Sequence, residues 1–85
     1  RPEGRTGAWL NLVRGDIHMA EKQPQEAVRA YILPVQLMDD GDQVVKPLAY
    51  HKLIEALKAS GNTPDAGKYA QELKRKYPNW TPPAE

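Results

Sequence analysis

The residues of this chain equipped to hold a metal, a cation or a nucleic acid are two histidines, a cluster of three aspartates and a short basic run. A metal site at His18 or His51 would need several ligands converging on one point, such as a second histidine one helical turn away and a carboxylate. Each histidine instead stands alone in its segment, and Arg14 and Lys22 lie one turn to either side of His18, where they repel a cation. Asp39, Asp40 and Asp42 surround Gly41, but a helix–loop–helix calcium site spaces its ligands over about twelve residues and closes on a glutamate. Tyr50 and His51 stand where that glutamate would be, so the aspartates read as helix-end caps. Lys74-Arg75-Lys76 complements the negative end of a helix dipole, and it is too short for the broad basic stripe that a nucleic acid requires. Ser60 is the one serine; it lies in a turn signature with no Gly-x-Ser-x-Gly frame around it. Gly4 and Gly7 are too sparse to make a phosphate loop. The sequence predicts no catalytic residue, no metal site and no cofactor, hence a protein without turnover.

The bulk properties point the same way. Eighty-five residues fit one small domain. Hydrophobic residues at 40% and charged residues at 27% are those of an ordinary globular chain. A net charge of +1 argues against a dedicated nucleic-acid or membrane-surface binder, and no apolar run approaches the roughly 18 residues of a membrane span. With no cysteine there are no disulfides, and with no phenylalanine the core falls to Leu, Ile, Val, Ala, Met, Tyr and Trp. Arg1 in place of a start methionine marks a processed or excised chain.

Four helices must position whatever surface does the work. Residues 1–6 read as a tail, with Thr6 as the cap of a first helix over about 7–22 whose face is Trp9, Leu12, Val13, Ile17 and Ala20. Pro24 opens a second helix, about 24–38, on Ala27, Tyr31 and Val35, and Pro34 should kink or break it near Ile32 and Leu33. Gly41 offers a left-handed closure to that helix. A third helix, about 44–59, carries Val44, Val45, Leu48, Ala49, Leu53, Ile54, Ala56 and Leu57, with Pro47 in its first turn. Thr63 caps a fourth, about 64–77, with Pro64 at its first position and a stripe of Ala66, Tyr69, Ala70, Leu73 and Tyr77. Pro78 stops it, and Asn79-Trp80-Thr81-Pro82-Pro83 reads as extended, so the helical domain spans about 7–80 and a C-terminal tail 81–85. No segment alternates with the period of a strand for long enough to suggest a sheet. The fold class is all-α: four antiparallel helices in two hairpins.

The halves repeat each other. Gly15, Ala27 and Tyr31 stand at the same spacings as Ile54, Ala66 and Ala70, 39 residues on. With Tyr50, Leu53, Leu57, Gly61, Ala66, Ala70, Leu73 and Pro78 in the second half and Gly15, Ala27 and Tyr31 in the first, the chain resembles the tetratricopeptide repeat family over about 8–80. His18, Asn11 and Pro34 depart from the tyrosine, tryptophan and alanine of that pattern. The resemblance implies two repeats, about 7–39 and 44–78, in a right-handed superhelix, with alanine-sized notches letting helices approach. The Tyr77-Pro78 ending is also similar to repeats of bacterial envelope-associated members, which tilts the expected location toward the periplasm or envelope.

The resemblance implies a binding groove lined by the first helix of each repeat. Carried over by position, that surface holds Trp9, Leu12, Asp16 and Met19, then Leu48, His51, Glu55 and Lys58. The family's carboxylate clamp uses lysine and asparagine where this chain has Leu12, Asp16, His51 and Glu55, so capture of a peptide's C-terminal carboxylate is not expected. The expected partner is a protein or peptide segment, with Trp9, Asp16, Met19, His51, Glu55 and Lys58 as the contacts. The alternative is a spacer, a cap or a self-associating piece of a longer solenoid, open near Trp9 and Trp80.

Overall fold

The structure, a computed structural model, describes residues 4–83. Residues 1–3 and 84–85, the outer parts of the two expected tails, lie outside it. Four helices follow in order: α1 Arg5–Ala20, α2 Pro24–Leu37, α3 Val45–Ala59 and α4 Thr63–Lys76. There is no strand among the described residues. Each helix packs on its neighbours in sequence; α1 and α3 also meet, whereas α2 and α4 do not. The stack is therefore tighter on the α1/α3 side.

The two hairpins close with the same turn. After α1, Lys22 takes a left-handed φ of 60°, Gln23 N donates to His18 O at 2.8 Å and Lys22 N to Met19 O at 3.0 Å. After α3, Gly61 has φ 86°, Asn62 N donates to Leu57 O at 2.8 Å and Gly61 N to Lys58 O at 3.0 Å. Both are Schellman closures, in which two otherwise unpaired carbonyls of the last turn are satisfied.

Several local expectations are corrected. The α1 cap is Gly4, and the helix starts at Arg5 ahead of Thr6. The α4 cap is Asn62, one residue before Thr63: its side chain accepts from Asp65 N at 3.2 Å and donates to Asp65 Oδ2 at 2.9 Å. Pro34 does not break α2. It lies in the last turn, where only one ladder bond is forfeited; its ring is buried, and the helix runs on to Leu37. Gly41 is not left-handed, since among the described residues only Lys22 and Gly61 have positive φ. The loop ends instead on Asp42, whose Oδ1 accepts from the backbone N–H groups of Val44, Val45 and Lys46 at 3.0, 2.6 and 3.1 Å. Burial alone would raise the Asp42 carboxyl, but these three donors and Arg5 outweigh it and hold its pKa below the usual aspartate range.

The core centres on α3, where Val45, Ala49, Tyr50, Leu53, Ile54, Ala56 and Leu57 are buried. Ala27 and Ala66 are buried at equivalent places in the two hairpins. Ala70, the expected partner notch, is exposed although its counterpart Tyr31 is buried. The difference follows from position: α2 lies between α1 and α3, while α4 has only α3 beside it. The α1 face is also corrected. Ala8, Leu12 and Gly15 are buried, while Trp9, Val13 and Ile17 are exposed together with Ala20. Val44, expected in the α3 face, is 52% exposed.

Candidate functional site

A hollow of about 340 Å³ opens on the α1/α3 side. Met19 of α1, Tyr31 of α2 and Leu48, His51, Lys52 and Glu55 of α3 line it, and Pro83 of the C-terminal tail closes one side. The spacing of Leu48, His51, Lys52 and Glu55 puts them on one helical face.

Gly15 lets α2 come this close. A Cβ at Gly15 would overlap the Tyr31 ring, so the aromatic occupies the space that a side chain at this position would need. The Tyr31 hydroxyl donates to Asp16 Oδ1 at 2.5 Å, and Lys52 Nζ donates to the same oxygen at 3.0 Å. One carboxylate oxygen thus joins α1, α2 and α3. Burial, and then the hydrogen bond and negative charge of Asp16, push the Tyr31 phenol well above its ordinary pKa.

The tail turns back over α3. Trp80 N donates to Tyr77 O at 3.1 Å, and the Trp80 ring comes to 5.9 Å from the His51 ring, centroid to centroid, at 53°. Trp80 packs against the core, so the expectation that it marks an open end is corrected.

Of the expected contact residues, Met19, His51 and Glu55 line the hollow. Asp16 adjoins it through Tyr31 and Lys52, and Lys58 pairs with Glu55 at 3.7 Å. Trp9 stands apart, exposed on the N-terminal half of α1 and not in the lining. Leu12 is buried and offers no surface. Lys52, Tyr31 and Pro83 are the lining residues that the sequence did not assign to the groove. Lys52 was findable, four residues after Leu48; the return of Pro83 had no local signal.

A second polar cluster ties the loop to α4. Lys46 is buried, and its Nζ donates to Met38 O at 2.7 Å and Asp40 Oδ1 at 2.6 Å. Lys76 reaches the same carboxylate at 3.2 Å, and the Tyr77 hydroxyl donates to Asp40 O at 2.7 Å. Hydrogen bonds from Lys46 and then Lys76 lower the Asp40 pKa. Nearby, the Tyr50 hydroxyl donates to Glu72 Oε1 at 2.9 Å. Among the described residues no buried side-chain polar atom lacks a partner, so the cluster is saturated and structural.

His18 lies at the first hairpin turn with its Nδ1 3.1 Å from Gln23 Oε1. Among the described residues no three His, Cys, Asp or Glu side chains are grouped to hold a metal ion, and no helix is long and apolar enough to cross a membrane. The chain matches no protein-family model, no curated protein and no solved structure.

Proposed function

We propose that this chain is a non-enzymatic scaffold of tetratricopeptide type whose α1/α3 groove binds a protein segment. The observation that carries the reading is the hollow itself: apolar Met19 and Leu48 beside polar His51, Lys52 and Glu55, on the tighter side of two stacked hairpins. Apolar anchors supply affinity in such a site, and the charged groups supply orientation. The matching Schellman closures and the buried Ala27 and Ala66 support a duplicated hairpin. The test is a displayed peptide library panned against the chain. Segments that bind should lose binding to Met19→Lys and to Glu55→Lys, both of which should keep the helical spectrum. Equal binding to the parent and both variants would remove the groove from the function.

A second reading, a stacking or self-associating unit, is favoured by a different surface. Leu10, Val13 and Ile17 of α1 and Leu33 and Leu37 of α2 are all exposed. Leu10, Val13 and Ile17 follow one another at steps of three and four residues and so share one face of α1. Apolar surface on this scale marks an interface when it is contiguous. Light scattering over a concentration series separates the readings: self-association that Val13→Glu abolishes supports stacking.

A further inference from the structure

The C-terminal tail covers one side of the groove, and that tail has a definite chemistry. After the turn at Tyr77–Trp80, the Trp80 ring settles against His51, and Trp80, Thr81 and Pro83 line a shallow hollow with Val44 and Leu48. Pro83 then walls the main hollow beside Tyr31, His51 and Met19. Among the described residues no hydrogen bond holds Thr81, Pro82 or Pro83. Two of the three are prolines without an N–H, and Thr81 and Pro82 each precede a proline, which biases them to an extended backbone. The seat is therefore made by side-chain packing on aromatic and apolar surface. Extended proline segments are recognised in this way, because their stiff backbone has little freedom to lose and needs no hydrogen-bonded ladder.

We infer that the groove takes extended, proline-containing segments, and that residues 80–83 cover its α3 side in cis as a tethered competitor. The inference rests on the groove reading above and names its ligand class. A tethered segment acts at a millimolar effective concentration. An external ligand therefore sees its affinity reduced by the fraction of molecules whose groove is open.

The chain has only two methionines, and one of them, Met19, lines the hollow. Labelled at the methionine methyls, it carries its own probe and its own control in Met38. A peptide Asn-Trp-Thr-Pro-Pro, matching residues 79–83, is titrated into the full chain and into Trp80→Ala, with Pro83→Gly as a second way to unseat the tail should Trp80→Ala fail to fold. The expected result is a shift of the Met19 methyl without one at Met38, with binding to the unseated chain roughly 10-fold tighter than to the parent. Replacing both prolines of the peptide by alanine should weaken binding by a similar factor. Equal affinity for the parent and the unseated chain overturns this cover in cis. So does a Met19 shift in the parent that grows on concentration alone, which would mean that tails are shared between copies. Equal affinity of the two peptides overturns the preference for proline. Library segments without proline that move Met19 and are blocked by Met19→Lys leave the groove reading standing and remove this inference; no segment moving Met19 removes both.

Discussion

Lys22 and Gly61 hold the same place in the two hairpins, each the left-handed residue of a Schellman closure, at φ 60° and 86°. They are 39 residues apart, the offset at which the two halves of the chain repeat. Glycine adopts this backbone freely, whereas a residue with a Cβ pays about 1–2 kcal/mol. Lys22→Gly should therefore stabilise the chain by about 1 kcal/mol. Gly61→Ala should destabilise it by a similar amount, purely through the backbone, since nothing lies within 4 Å of the added Cβ. Urea midpoints with unchanged slopes would check both.

Gly15→Ala should be far worse than Gly67→Ala at an exposed position of α4. The new methyl would enter the Tyr31 ring, while at Gly67 it would meet nothing within 4 Å. Overpacking of this kind costs about 1–3 kcal/mol. Because the penalty belongs to the pair, Gly15→Ala should add little on a Tyr31→Ala background, and a double-mutant cycle reads the coupling.

Leu53→Ala and Leu57→Ala should each cost about 2–5 kcal/mol, because both side chains are buried in the central helix. Unchanged melting curves for both would take α3 out of the core.

Stability should fall at both ends of the pH scale. Asp42 has a lowered pKa in the fold, so its contribution is present above the ordinary aspartate value of 3.8 and is lost as pH drops through the folded value. Tyr31, Tyr50 and Tyr77 are raised by burial first, so the fold favours their neutral forms. Their contribution is whole below the ordinary value of 10.0 and is lost as pH rises through the folded values. Denaturant midpoints against pH should show an acid limb that Asp42→Asn shortens and an alkaline limb that Tyr31→Phe flattens.

The four helices, their order and the second hairpin's turn were legible because proline, glycine and apolar spacing mark them locally. The orientation of α1 was not. Trp9, Val13 and Ile17 recur at helical spacing as well as Ala8, Leu12 and Gly15 do, and larger side chains carry the stronger signal. The second face won because Gly15, lacking a side chain, admits Tyr31. Ala70 was misjudged for a related reason: an alanine at a packing position is buried only if a further helix comes to lie on it. In the candidate site the α3 residues could be read from one helical face. Tyr31 was assigned to packing alone, and the contribution of the tail depends on a reversal set by Tyr77 and Trp80. Lys46 had no signal, since a lysine in a first turn reads as solvated until Met38 and Asp40 are folded around it.

Asp16 ties the two hairpins together beside the α1/α3 hollow. One of its oxygens takes the Tyr31 hydroxyl from its own hairpin and the Lys52 ammonium from the other, and since the carboxylate is half-exposed, added salt screens the charge pair that spans the hairpins there. Ionic strength should then loosen this tie while the buried packing of α2 on α3 holds, so the grip at the mouth of the hollow depends on the medium as well as on the chain.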